Sequence, residues 1–431
     1  MIDRRRWSAG VLGALVLPRR VDAAPEPSAA ASPSTSTRAN ILHVPFLVAE
    51  TGFDPAQVGD LYSRTVTAHI FEALYRYDPL AIPVKARPLT AAAMPEVSAD
   101  FRVWTVRLQP GIFFAEDPAF KGRRRELVAQ DYVYAFKRHF DPATKSPALS
   151  SLEDDGIVGL DTVRNAALAR KQPFDYDTPT EGLRALDRYT LQVRLREPRP
   201  RFLTTLTESG GLGAVAREVV EFYGEAIMAH PVGTGPYRLK EWRRSSRIVL
   251  ERNPGFRELL YDAEPAADDV QGQAWLARFK GRRLPLNDGV EISVLEEEQA
   301  RWLSFLSGQV DFTRVPNAFT YHAVPTGSLA PNLAKRGIQV RRYVNPDFIM
   351  SWFNMDDPLV GGYTPDKVAL RRAIGLAYNI ERDVRIVRRG AGASADGAGH
   401  LRLRPELQER QQRLRPGARE GLARCLRLCR P

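Results

Sequence analysis

The chain has 431 residues, 44% of them hydrophobic and 26% charged, a composition that excludes a disordered or fibrous protein and allows two or three domains with a sizeable core. Its formal charge of +11 suggests nucleic acid, but residues 1–24 carry a net +3 and residues 390–431 a net +5, leaving only +3 on residues 25–389. The body therefore has a nearly balanced surface, and no nucleic acid is expected as a partner.

At the N-terminus, Arg4, Arg5 and Arg6 precede the apolar run Trp7–Pro18, and Val21-Asp22-Ala23 offers small or modest side chains for cleavage. This predicts a signal peptide over residues 1–23 and export from the cytoplasm, since the apolar run is too short to anchor in a bilayer. Residues 24–39, rich in Ala, Ser, Pro and Thr, read as a flexible leader. Neither cysteine lies near the signal, so no lipid anchor is expected, and a cysteine-free body suits an oxidising compartment. Cys425 and Cys429 have no nearby His or second cysteine pair, so neither a metal nor a cofactor is expected.

Along the body, period-2 alternation marks strands at 104–108, 191–196, 247–252 and 291–295. Between the first two, Val133, Phe136 and Phe140 fall on one face of a helix over 129–140. Val232-Gly233-Thr234-Gly235-Pro236 superficially resembles a phosphate loop. Pro236 has no N–H, the Walker lysine is missing, and a strand-like run over 237–242 follows in place of a helix. The glycines read as a tight turn into a hairpin whose bend is 243–246, stopped by Asn253-Pro254. Glu296-Glu297-Glu298 reads as a solvated helix start, and Asp356-Asp357-Pro358 as a turn. Thr364-Pro365 opens a helix expected to bury Leu370, Ile374, Ala377 and Tyr378. Strands and helices mix irregularly, which predicts an α/β protein of several lobes. No G-x-S-x-G or H-E-x-x-H motif occurs, and no two of the six histidines are spaced as ligands on a helix.

Beyond Gly390 the sequence has no Phe, Tyr, Trp, Lys, Ile or Val. That palette is what a GC-rich gene read out of frame gives, and an aberrant Arg-rich tail over 390–431 is expected; a basic tail for nucleic acid or membrane is the alternative.

Several motifs in order resemble the periplasmic oligopeptide- and dipeptide-binding proteins, the family 5 solute-binding subunits of ABC importers. These are Glu50–Pro55 (ETGFDP), Ile70–Asp78 (IFEALYRYD), Trp104–Phe120 with the following Ala129–Val133, His230–Phe256, Phe353-Asn354-Met355 and Leu370–Asp383. The resemblance spans about residues 40–389 and implies a class II periplasmic binding protein-like α/β fold with three lobes. Lobe I would take 40–76 and 188–285, lobe II 77–187, and a partial lobe III 286–389, leaving the C-terminal lobe incomplete. The family's Trp-x-x-Asp-Tyr-like segment, whose Asp pairs with a peptide's ammonium, has no counterpart after Trp352, so low stability and weak or no binding are expected. Hinge closure would hold a peptide by strand-like hydrogen bonds.

Candidate ligand-binding residues are Thr51, Gly52 and Phe53, which close the first strand where solutes sit in open α/β sheets. Met350, Trp352 and Asn354 share one face of a strand read over 348–355 that resembles one bordering the family's cleft. Core packing is the alternative for Met350 and Trp352; the Asn354 amide suits a peptide group. The function implied is a non-catalytic, monomeric receptor that captures peptides or peptide-like solutes and delivers them to permease subunits in the inner membrane. An exported hydrolase with a dispersed active site is the alternative.

Overall fold

In the computed structural model, residues 39–341 and 351–387 are described. The expected signal peptide and the Arg-rich tail lie outside the described residues, as does Met350. The strands are β1 (Ile41–Phe46), β2 (Tyr75–Tyr77), β3 (Ala86–Pro88), β4 (Glu96–Val97), β5 (Val103–Arg107), β6 (Leu183–Ala185), β7 (Thr190–Arg194), β8 (Tyr237–Arg243), β9 (Arg247–Arg252) and β10 (Gly289–Val294). Two of the helices organise the rest: α1 (Leu61–Ile70) and α2 (Ala129–Phe140).

One sheet has the order β1-β10-β9-β8, with β1 parallel to β10 and the other pairs antiparallel. Alternation in β9 sends Ile248 and Leu250 inward, while Arg247 and Glu251 face outward. On the outer face Arg238 pairs with Glu251 directly across from it at 2.7 Å, and Arg247 with Glu291 on the diagonal at 2.8 Å. The β8–β9 hairpin turns through Ser245 at φ 57°. This sheet continues through residues 289–294, past the lobe boundary expected at 285. A second sheet, β4-β5-β7-β6, is antiparallel throughout, and β2 and β3 form a separate two-stranded ribbon.

Apolar residues gather in three clusters. The first joins Tyr132, Phe136 and Phe140 of α2 to Trp104, Val106, Leu191 and Val193 of the second sheet. The second joins Phe46, Phe53, Ile70, Ile248, Leu250 and Ile292 around the first sheet. The third is smaller and centres on Trp302, which stacks on Phe319 at 5.9 Å between ring centroids.

Two helices depart from the sequence expectation, in opposite directions. Helix α2 is buried on all sides, with every residue except Gln130 inside, where the spacing indicated one apolar face. Its Tyr134 and Ala135 enter the second cluster while Phe136 and Phe140 enter the first, so a single helix serves both cores. The helix Pro365–Ala377 forms with Pro365 in its first turn, but none of its residues is buried. Ile374 and Tyr378, expected inside, are 44% and 61% exposed, because no described element packs on that face. An amphipathic pattern specifies which face is available for burial and leaves open whether a partner occupies it.

The glycines of the 232–236 turn answer to space. Neither has a positive φ, but a Cβ on Gly233 would lie 2.0 Å from the Ile70 carbonyl oxygen, and one on Gly235 would lie 2.6 Å from it. The Gly235 N–H donates to that same oxygen at 2.8 Å. The turn is thus pressed against the C-terminal end of α1, whose last carbonyls need donors. Gly233→Ala is expected to lower stability by about 1–3 kcal/mol through overpacking, whereas Gly375→Ala, in the exposed helix Pro365–Ala377 with no neighbouring element within 4 Å of the added Cβ, is expected to leave Tm unchanged or raise it slightly through helix propensity. Thermal unfolding of the two variants checks the contrast.

Candidate functional site

After β1 the chain runs outward to the start of α1, and each turn of this segment is held by a specific polar contact. Glu50 is buried; its Oε1 accepts from the Trp242 indole N–H at 2.6 Å and from the Ser245 N–H at 2.9 Å. Thr51 is exposed and donates through its hydroxyl to Asp60 Oδ2 at 2.6 Å. Asp60 in turn caps α1, accepting from the Ser63 N–H at 2.8 Å, and Ser63 Oγ accepts from the Thr51 N–H at 2.9 Å. Burial works to raise the Asp60 pKa, but the bonds from Ser63 and Thr51 outweigh it and hold the carboxyl below its ordinary value. The result is a partly exposed, ionised carboxylate beside an exposed hydroxyl at the N-terminus of a helix.

The rear of this rim is locked from α2. Asp54 and Arg138 are both buried and meet face to face, Nη1 to Oδ1 at 2.5 Å and Nη2 to Oδ2 at 2.8 Å. Asp54 also accepts from the Ala56 N–H and the Gln57 side chain, so both of its oxygens are satisfied. On the same helix His139 is buried between Ser146 Oγ at 2.7 Å and the Gly211 carbonyl at 2.9 Å. A carbonyl only accepts, so Nε2 carries the proton and Nδ1 accepts from Ser146. Burial pushes the His139 pKa down to about 4, which keeps the ring neutral at pH 7. Lys137 donates to the carbonyls of Tyr176 and Thr178 at 2.8 and 2.7 Å. Loop 141–148 reaches the rim here: a Cβ on Gly59 would lie 2.9 Å from the Pro147 ring.

The candidate residues fare differently. Strand β1 ends at Phe46, so Thr51, Gly52 and Phe53 lie beyond it and not at its last residues. They do sit together, but Phe53 is 0% exposed and its ring packs edge-on to Trp242 at 4.8 Å, which removes it from any solute-facing surface. Gly52 is buried against Met228 at φ 152°, and only Thr51 presents a free face. Residues 351–354 are not a strand, since no described strand pairs with them. Trp352 is 78% exposed, and Asn354 uses its side-chain oxygen to accept from the Asp356 N–H at 3.1 Å, making a turn. Among the described residues no hydrogen bond or ring contact joins Thr51–Phe53 to 351–354. Asp60, Arg138 and His139 escaped the sequence reading. Asp60 alone left a local signal, an Asp three residues before Ser63 at the head of an apolar-periodic run.

The polar rim at the start of α1 thus lies just beyond β1, the strand that runs parallel to β10. Residues 85–405 match the model of the bacterial extracellular solute-binding proteins, family 5, middle region, and the chain belongs to that family, whose members bind solutes. It is 31% identical over 253 residues to the periplasmic oligopeptide-binding protein OppA of Salmonella typhimurium, a match covering 58% of this chain and 42% of that protein. It is 28% identical over 246 residues to the di/tripeptide-binding protein 2 of Pseudomonas aeruginosa, covering 56% and 42%. The chain thus spans less than half the length of these curated relatives. Among solved structures, Helicobacter pylori DppA in complex with the peptide STSA superposes with a TM-score of 0.58 at 20% identity, covering 81% of this chain and 58% of that one. Haemophilus influenzae OppA gives 0.54 at 19% identity, covering 80% and 58%. The fold is therefore the mixed α/β fold of the periplasmic peptide-binding proteins.

Removing one partner of the buried pair, by Asp54→Asn or Arg138→Met, is expected to cost about 3–5 kcal/mol because the other charge is stranded. The double variant should cost less than the sum, and a double-mutant cycle by denaturant unfolding measures the difference. His139 gives a pH signature. Its folded pKa lies below the unfolded one, so its contribution is complete above about 6.5 and is lost as pH falls toward 4, by about 3 kcal/mol in all. Unfolding free energies from pH 7 to 4.5 should fall more steeply for the wild type than for His139→Gln.

Proposed function

We propose that this chain is a peptide receptor of the periplasm: a non-catalytic monomer that captures peptides or peptide-like solutes and passes them to the permease subunits of an ABC importer. The carrying observation is the rim at the start of α1, where an exposed Thr51 hydroxyl and the ionised Asp60 carboxylate stand side by side in front of the buried Asp54–Arg138 pair. Such a pair accepts the N–H groups and positive charges of a peptide without requiring a reaction. The relatives, binders of oligopeptides and of di- and tripeptides, favour the same ligand class.

In this reading Thr51 contacts the solute, Gly52 and Phe53 form the wall behind it, and Met350, Trp352 and Asn354 contribute from a separate segment. The exposed Trp352 ring supplies the apolar face that such a site needs. Lobes at 40–76 with 188–285, extended by strand β10 of the same sheet, at 77–187 and at the rest of 286–389 would supply the hinge that closes on the solute.

Equilibrium dialysis of the full chain against labelled tri- and tetrapeptides is expected to give saturable, weak binding, with the peptide recovered intact. Asp60→Asn and Trp352→Ala should each weaken it several-fold while leaving the far-ultraviolet spectrum unchanged. Absence of saturable binding at millimolar peptide contradicts the receptor reading, and cleaved peptide would favour the hydrolase.

A further inference from the structure

In the β2–β3 ribbon Arg76 stands directly opposite Arg87. Like charges at opposed positions of an antiparallel pair repel, so this placement needs compensation. Arg87 has it: Nη1 donates to Asp78 Oδ2 at 2.9 Å and Nη2 to Asp262 Oδ2 at 2.8 Å. Arg257, a third nearby guanidinium, has it as well, donating to both oxygens of Glu72 at 2.7 and 2.9 Å.

Arg76 does not. Among the described residues no hydrogen bond or ion pair engages its guanidinium, and its Nε is buried without an acceptor. The acids around it are already used. Asp78 accepts from Arg87 and from the N–H groups of Leu80, Ala81 and Glu264. Glu72 accepts from Arg257 and from the Thr234 hydroxyl, and Glu264 is held by Lys85. Burial, and then the fields of Arg87 and Arg257, lower the Arg76 pKa against the pull of Asp78 and Glu72. A partly buried cation is thus left without the partner that its neighbours possess.

We propose that Arg76, flanked by Arg87 and Arg257, binds a small oxyanion, a carboxylate or a phosphate. The two Nη atoms of Arg76, unpaired among the described residues and not sealed from solvent as Nε is, offer two donors to such a group, and the bound charge relieves the repulsion across the ribbon. The site shares no residue with the Thr51–Asp60 rim, so it stands or falls apart from the peptide reading.

The test is thermal unfolding of the full chain at pH 7 in sodium phosphate, sodium acetate and sodium chloride at matched ionic strength. The expected result is a saturable rise in Tm with phosphate or acetate that chloride does not give, the anion acting at the lower concentration being the preferred class. Arg76→Met should abolish the rise yet be at least as stable as the wild type in chloride. Arg76→Lys should keep part of it, with the half-maximal concentration raised about tenfold. Equal responses to all three salts overturn the proposal, as does an anion-specific rise that survives in Arg76→Met. Strong destabilisation of Arg76→Met in chloride also overturns it, because the guanidinium would then have a structural partner.

Discussion

The buried pair of Arg138 with Asp54 ties the two main cores together. Each ion loses its water on folding, a penalty of several kcal/mol that only near-ideal geometry and full hydrogen bonding offset. Asp54 meets that demand with the forked guanidinium, the Ala56 N–H and the Gln57 amide. Arg138 belongs to the helix at the centre of the first core, and Asp54 to the segment leaving β1 in the second. A shift of either element by a fraction of a turn would strand both charges, so the pair selects one register between them. Lys137 and His139 extend the same logic, each gripping a different loop from consecutive positions of α2.

That constraint fixes the rim. With Asp54 locked, the turn from Thr51 to Asp60 has little freedom, and Asp60 is placed both to cap α1 and to receive the Thr51 hydroxyl. A site assembled on a helix start and backed by the paired Asp54 and Arg138 keeps its geometry without the ligand, which lowers the entropic cost of binding. The stretch from His230 to Phe256 serves the scaffold in a comparable way. Its glycines let the turn lie against the end of α1, while Thr234 reaches the Glu72 carboxylate that also holds Arg257.

Much of the fold was legible in local patterns. The strands at 247–252 and 289–294, helix α2 and the hairpin bend follow from periodicity and turn chemistry, which act within a few residues. The site was less legible because its parts act across long separations: Asp54 and Arg138 are 84 residues apart, and Glu72 and Arg257 are 185. Lys137, Arg138 and His139 look like the solvated face of an amphipathic helix, and nothing local reveals that each has a buried partner. Phe53 illustrates the converse, since a residue beside a strand end can be spent wholly on the core. The helix Pro365–Ala377 displays its apolar pattern to solvent, because pattern specifies a face and only tertiary structure supplies its partner.

Hydrogen–deuterium exchange of the full chain, with and without an excess of short peptides, tests the central claim most directly. A receptor built on this rim should gain protection at residues 51–63 and around Trp352, with the amides of α2 unchanged because the Arg138–Asp54 lock is already formed. Peptide-dependent protection confined to other segments, or none at all, would contradict it.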